Sequence, residues 1–86
     1  MPAEPHPDPL ASVIAAYTMV FGDPPVHGAR TAPDDTAEWD SLAHIRLVYA
    51  IEQDLDVVLP EELLTAGPCL ADLAEAAGAA MAARSR

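Results

Sequence analysis

Basic residues are scarce in this sequence, and lysine is absent from it. The 86 residues include four Arg against fourteen acidic residues, which gives a formal net charge of −10. Nucleic acids and anionic membranes repel such a surface, so we expect neither to be a partner. Proteins that present patches of Arg and Lys would instead be attracted, and this attraction mainly speeds their encounter.

Cysteine and long apolar runs are also scarce. Cys69 is the single cysteine, so an internal disulfide or a site made of several thiolates is excluded. No segment has the length that is needed to span a bilayer, and residues 1–6 lack the basic and apolar stretches of a signal peptide. These absences predict a cytoplasmic protein.

The length and the apolar composition predict one domain of packed helices. A chain of 86 residues has a modest core and little room for a deep catalytic cleft. With one Trp, two Tyr and one Phe, the core must consist mostly of Leu, Val, Ile and Ala, which favours helices over a β-sandwich or barrel. We expect a disordered lead-in over residues 1–8, a domain over residues 9–83 and a tail over residues 84–86.

Apolar periodicity and helix-end signals predict four helices. Asp8-Pro9 is typical of a capped helix start, Gly22 of a helix end, and Asp40 again of a cap. The long loop between the first two helices, residues 23–39, is expected to be attached to the core through Val26, Ala29 or Trp39. The predicted all-α fold has three long helices and a short third one, over residues 9–21, 41–54, 60–66 and 69–83.

The residues that could carry catalysis form no recognisable enzyme site. His6, His27 and His44 are far apart in sequence, and none forms a ligand pair with a carboxylate. Ser41 lies outside a G-x-S-x-G motif and has no evident base, which argues strongly against a serine hydrolase. The sequence therefore predicts neither an enzyme nor a metal site.

The helix that starts at Ser41 is apolar over more than half of its circumference. Such a helix is either embedded among others or uses part of its apolar surface on a partner. Leu42 is the best candidate for a partner contact, whereas Ile45 and Tyr49 fit either a docking edge or the core. The apolar residues are Leu42, Ile45, Leu47, Val48, Tyr49, Ile51 and Leu55.

Three short segments follow each other in a recognisable order. Asp40-Ser41-Leu42 opens the second helix, Leu55-Asp56-Val57-Val58-Leu59-Pro60 follows that helix, and Leu70-Ala71-Asp72-Leu73-Ala74 lies in the last one. In their order and spacing these segments resemble the acyl carrier protein family, and the resemblance covers residues 39–77. A long loop between the first two helices is a known feature of that family's fold.

The resemblance implies a four-helix bundle of the acyl-carrier type and a discrete, monomeric carrier rather than an enzyme. It implies that the Ser41 hydroxyl is esterified by 4′-phosphopantetheine, whose thiol holds an acyl or aminoacyl intermediate as a thioester. The implied partners are a phosphopantetheinyl transferase that uses coenzyme A and Mg²⁺, a loading ligase or acyltransferase, and downstream synthase or tailoring enzymes. The residues implied to face these partners are Glu38, Trp39, Asp40, Leu42, Ile45, Arg46 and Tyr49.

Several residues depart from the fatty-acid carrier of that family. Ala43 and Arg46 occupy positions that are often acidic there, and His44 is unusual. Together with Trp39, these differences favour a dedicated pathway such as polyketide, nonribosomal peptide or amino-acid loading. His44 either packs beside the helix or touches the arm or its cargo. Cys69 stands where the family commonly has a capping Thr or Ser, so it is either a poor cap or a small buried residue.

A second hypothesis comes from a different functional class. A small acidic helical adaptor that binds a protein partner, and that never carries a prosthetic group, has the same composition and helix pattern. Attachment of a pantetheine arm to Ser41 distinguishes the two hypotheses.

Overall fold

The computed structural model describes residues 8–65 and 67–84. Its helices are α1 (Pro9–Phe21), α2 (Ser41–Leu55), the single turn α3 (Glu62–Thr65) and α4 (Leu70–Arg84). Two short 3₁₀ turns, Gly28–Arg30 and Pro33–Asp35, lie between α1 and α2. This part of the chain contains no β-strand, so the prediction of an all-α fold is confirmed. The predicted lead-in lies outside the described residues except for Asp8.

The sequence signals determine both ends of α1. Asp8 Oδ1 accepts a hydrogen bond from the Leu10 N–H at 3.1 Å, and Pro9 occupies the first helical position. Gly22 ends the helix in the left-handed conformation (φ 85°), and its N–H donates to the Thr18 carbonyl at 2.8 Å. The predicted bounds of this helix are confirmed.

The bounds of α2 and α3 differ slightly from the predicted ones. Helix α2 ends at Leu55, one residue later than predicted, and the left-handed backbone of the next residue, Asp56 (φ 55°), closes its last turn. Helix α3 begins at Glu62 and not at Pro60. The Leu63 N–H donates to the Pro60 carbonyl at 3.1 Å, so Pro60 belongs to a tight turn that precedes the helix.

Helix α4 was predicted to cover residues 69–83 and begins and ends one residue later. Cys69 precedes the helix, and its carbonyl accepts the Asp72 and Leu73 N–H groups at 3.1 and 3.2 Å. Arg84, predicted to lie in the tail, is the last residue of α4. Residues 85–86 lie outside the described part.

The core lies between α1 on one side and α2 and α4 on the other, since α1 packs against both. A fully buried Leu or Ile contributes about 1.5–3 kcal/mol to folding. Val57 and Leu59 are also buried, and Glu52 Oε2 holds their segment by accepting the Leu59 N–H at 2.8 Å. The buried apolar residues of the helices are Val13, Ala16, Tyr17, Leu47, Val48, Ile51, Leu55, Leu70, Leu73, Ala74 and Ala77.

The long loop is attached to the core at its middle and at its end. Of the three alternative anchors, Trp39 is buried at 4% exposure, and Val26 is exposed. Ala29 is half-buried. Thr31 is fully buried: its Oγ1 accepts the His27 N–H at 2.8 Å, and its carbonyl accepts the Leu70 N–H at 3.0 Å. The loop is therefore bonded directly to the start of α4.

Membrane insertion finds no support in these helices. Among the described residues, none of the helices combines the length and the apolar character that are needed to cross a bilayer.

Candidate functional site

Ser41 is exposed and occupies the first position of α2. The preceding residue, Asp40, has an extended backbone (φ −89°, ψ −174°), and its Oδ1 accepts the Ala43 N–H at 2.8 Å. The Asp40 carbonyl accepts the His44 N–H at 2.9 Å. Within the described residues the N–H groups of Ser41 and Leu42 make no hydrogen bond. Unpaired N–H groups at a helix start favour an anion beside the Ser41 hydroxyl.

Among the described residues, no general base is hydrogen-bonded to the Ser41 hydroxyl. The hydroxyl forms no hydrogen bond within residues 8–65 and 67–84. The histidine that is nearest in sequence, His44, is buried and has both ring nitrogens bonded elsewhere. A serine nucleophile needs a base within hydrogen-bond reach. His44 is therefore not placed to act as the base of Ser41.

An exposed apolar stripe runs along α2 beside Ser41. Leu42, Ile45 and Tyr49 are 58%, 54% and 62% exposed. At about 100° per residue, these three side chains lie within roughly 60° of each other around the helix. We call them the α2 stripe. Since they are exposed, the interpretation of Ile45 and Tyr49 as core residues is wrong.

The wide apolar surface of α2 is thus divided into two parts. The core face carries Leu47, Val48, Ile51 and Leu55, all of them buried. The α2 stripe is exposed to solvent and contributes little to the core. Exposed apolar residues that form a contiguous patch are typical of an interaction site.

A groove of about 250 Å³ lies beside the α2 stripe, between the end of α1 and the start of α2. Val20 and Phe21 of α1 form one wall. Four of the seven residues predicted to face partners line the groove together: Glu38, Asp40, Leu42 and Arg46. The structure therefore brings both carboxylates and the guanidinium group to one opening near Ser41.

Trp39 was also predicted to face partners, but its side chain is buried. Its indole packs edge-to-face with the Tyr17 ring at a centroid distance of 5.6 Å, and its centroid lies 5.9 Å from that of Phe21. It also stacks with His44 at 6.0 Å. Such aromatic pairs each contribute about 0.5–1.5 kcal/mol beyond their buried area. The Trp39 side chain therefore packs inside the fold, next to the start of α2, and is not exposed for a partner.

His44 connects three parts of the fold. The Trp39 Nε1–H donates to His44 Nδ1 at 3.0 Å, and His44 Nε2 is hydrogen-bonded to the Leu63 carbonyl of α3. The residue is 6% exposed, which agrees with the interpretation that it packs beside the helix. The bonds to Trp39 and Leu63 were not predicted. The only sequence signal for them is a Trp and a His on either side of a helix start.

Cys69 is half-buried, and both its N–H and its thiol are directed at the Asp72 carboxylate. Its N–H and its thiol donate to Asp72 Oδ2 at 3.1 and 3.4 Å. The thiol donates to a carboxylate and accepts no N–H group of the first turn, which agrees with the interpretation as a poor cap.

The charge around the loop and the groove is negative. Burial raises the pKa of the Tyr17 phenol above its ordinary value, and the negative charges of Glu38, Asp23 and Asp35 raise it further. In residues 8–65 and 67–84, no group of three or more His, Cys, Asp or Glu side chains is arranged to hold a metal ion.

Comparisons with known proteins do not show a family. No family model matches the chain, and the comparisons with curated proteins and with solved structures give no significant match. The resemblance of residues 39–77 to the acyl carrier proteins therefore stays a prediction made from the sequence.

Proposed function

We propose that the protein is a discrete carrier that holds acyl or aminoacyl intermediates as thioesters on a 4′-phosphopantetheine arm attached to Ser41. The observation that carries this proposal is the setting of Ser41. It is an exposed hydroxyl at the start of α2, without a general base and beside an exposed apolar stripe. We further assign the helices to a four-helix bundle of the acyl-carrier type, in which α3 is the short member.

The residues around Ser41 fit the phosphodiester of such an arm. Asp40 occupies only the Ala43 N–H, so two N–H groups of the first turn are left to interact with an anion. The arm, when attached, supplies the thiol that carries the cargo. Cys69 is a poor substitute for that thiol, because it is half-buried and bonded to Asp72 at the start of α4.

The α2 stripe and the groove would serve as the docking surface for the enzymes that visit the arm. A phosphopantetheinyl transferase, a loading ligase or acyltransferase, and downstream synthase or tailoring enzymes must all reach Ser41. The stripe offers them apolar contacts, and Glu38 and Asp40 beside it favour basic partners. The departures at Ala43, His44 and Arg46 favour a polyketide, nonribosomal peptide or related pathway over general fatty-acid synthesis.

The test is priming followed by intact mass spectrometry. The protein is incubated with coenzyme A, Mg²⁺ and a phosphopantetheinyl transferase of broad specificity. We expect a mass increase of one phosphopantetheine group in the wild type and in Ser12→Ala, the matched serine control on α1. We expect no increase in Ser41→Ala. An unmodified wild type, or an adduct that persists in Ser41→Ala, would contradict the proposal.

The α2 stripe also supports the second candidate, an adaptor that binds a protein partner without an arm. An adaptor needs the stripe but not the Ser41 hydroxyl. Partner binding that is lost in Leu42→Asp and unchanged in Ser41→Ala, together with failure of priming, would favour the adaptor. A carrier instead loses its function in both variants.

A further inference from the structure

We propose that His44 is a proton-sensitive latch between the segment that leads to Ser41 and helix α3. The His44 latch consists of the Trp39 indole, the His44 imidazole and the Leu63 carbonyl. It is intact while the imidazole is neutral, and protonation releases Trp39 from it. The proposal depends on the two hydrogen bonds of the ring, which point to opposite sides of the fold.

The hydrogen-bond partners determine which ring nitrogen carries the proton. Indole nitrogen is only a donor, so His44 Nδ1, at 3.0 Å from Trp39 Nε1, must be an acceptor without hydrogen. A backbone carbonyl is only an acceptor, so Nε2 must donate to the Leu63 oxygen. The neutral tautomer with hydrogen on Nε2 satisfies both partners at once.

Protonation affects the two bonds differently. An imidazolium carries hydrogen on both nitrogens. The bond from Nε2 to the Leu63 carbonyl survives and gains charge assistance. After protonation, His44 Nδ1–H and Trp39 Nε1–H are both donors. They would face each other across the 3.0 Å over which Nδ1 accepts from the indole in the neutral form. The Trp39 side of the latch therefore opens, and the α3 side stays bonded.

Burial makes the lost bond consequential. Trp39 and His44 are 4% and 6% exposed, so water does not readily replace the missing acceptor. A buried donor without a partner is unfavourable, and the indole must move toward solvent to recover a hydrogen bond. Such a movement would also disturb the contacts of Trp39 with Tyr17 and Phe21.

Ionisable groups lie on the elements that pack around the latch. The carboxylates of the loop, α3 and α4 are exposed, so solvent screens their charges. The phenol of α1 is neutral at physiological pH, since its pKa is raised. Arg46, on the same helix as His44, is exposed. The acidic and phenolic groups on these elements are Asp23, Asp34, Asp35, Glu38, Asp40, Glu61, Glu62, Asp72, Glu75 and Tyr17.

The latch has a consequence for the site that rests on the proposed function. Trp39 is two residues before Ser41, and its indole supports the turn that leads into α2. Release of Trp39 would make residues 39–41 more mobile, while His44 still bonds α2 to α3. A proton thus alters how the carrier presents Ser41, with no change to the residues of the α2 stripe.

The test follows the Trp39 indole by NMR in a variant with a single imidazole. His6→Gln and His27→Gln remove the other two histidines. We expect the Trp39 Nε1–H resonance to shift in a single step as the pH is lowered and the His44 ring takes up a proton. Base-catalysed exchange of an N–H group with solvent slows as the pH falls. We expect the Trp39 Nε1–H to exchange about five- to tenfold faster, after release, than this slowing alone would give.

The matched control is His44→Gln in the same background. A glutamine amide can accept from Trp39 with its oxygen and donate to Leu63 with its nitrogen, but it does not titrate in this range. We expect the Trp39 step to disappear in this variant. A flat Trp39 profile with His44 present, or the same step in His44→Gln, would overturn the proposal.

A measurement on the wild type keeps the proposal testable if His44→Gln does not fold. The ¹⁵N shifts of the imidazole at neutral pH report the tautomer directly. Hydrogen on Nε2 is expected, and hydrogen on Nδ1 would overturn the latch. None of these readouts involves an arm or a transferase, so a negative priming result and a negative latch result are independent of each other.

Discussion

Substitutions at Asp40 can separate its role as a helix cap from its charge beside Ser41. In the wild type, Asp40 Oδ1 accepts the Ala43 N–H at 2.8 Å. Asp40→Asn keeps an oxygen that can accept this N–H and removes the charge. Asp40→Ala removes both. Loss of an N-cap costs about 1 kcal/mol, which lowers the Tm of a domain of this size by about 4–8 °C. Asn is nearly as good a cap, so its cost is only the interaction of the charge with the helix dipole, about 0.3–0.5 kcal/mol.

The rate of priming should depend on the charge at residue 40 and not on whether residue 40 caps α2. Two unit charges about 6 Å apart in water attract each other by about 0.7 kcal/mol, which is about threefold in rate. If a basic patch of the transferase meets Asp40, then Asp40→Asn lowers kcat/KM about threefold. Asp40→Arg replaces the attraction by an equal repulsion and lowers it about tenfold. Added salt should reduce both differences.

The assay is the initial rate of pantetheine transfer at low protein concentration, well below the Tm of every variant. Asp8→Ala is the matched control, because Asp8 caps α1 in the same way, with its Oδ1 at 3.1 Å from the Leu10 N–H. It should lose similar stability and prime at the wild-type rate. Equal priming rates for wild type, Asp40→Asn and Asp40→Arg would refute the electrostatic reasoning. If Asp8→Ala also primes slowly, the slower priming of the Asp40 variants is caused by lost stability.

Two further predictions concern the α2 stripe and the buried phenol. Because Ile45 is exposed, Ile45→Asp should change the free energy of unfolding by less than about 0.5 kcal/mol but lower priming kcat/KM about tenfold through a lost apolar contact. Met19→Asp, at a position on α1 that is 76% exposed, should leave both unchanged, and equal effects of the two variants would contradict a specific docking surface. In Tyr49→Phe only Tyr17 titrates as a phenol, and its folded pKa lies above the unfolded value of about 10. The stability that the neutral phenol contributes is therefore complete below about pH 10 and is lost as the pH rises through the folded pKa; an absorbance midpoint at or below that of the unfolded chain would contradict this.

Local signals predicted helix ends well where a single residue decides the backbone. Asp8, Pro9 and Gly22 give the two ends of α1, because a side-chain acceptor, a fixed φ and a left-handed φ act within one turn. Pro60 and Cys69 were placed inside helices and lie just before them. In both places the neighbouring residues form a turn first, and composition alone does not distinguish a tight turn from a first helical turn.

The candidate site was only partly predictable, because its arrangement depends on what packs against α2. Periodicity identified the wide apolar surface of α2 but not which part faces α1 and α4. Ile45 and Tyr49 are exposed, and Leu47 and Ile51 are buried, although all four are apolar residues of one helix. The hydrogen bonds of His44 could not be predicted from the sequence for a related reason. The Leu63 carbonyl comes from an element 19 residues away, and no local pattern reports such a contact.

The packing of α1 has a consequence for the order in which the chain folds during synthesis. Helix α1 is synthesised before α2 and α4, yet it packs against both, and α4 follows α2 in the chain. Until Leu70 and the residues after it have been synthesised, α1 lacks one of the two helices that it packs against. The native core therefore closes only when α4 has been translated.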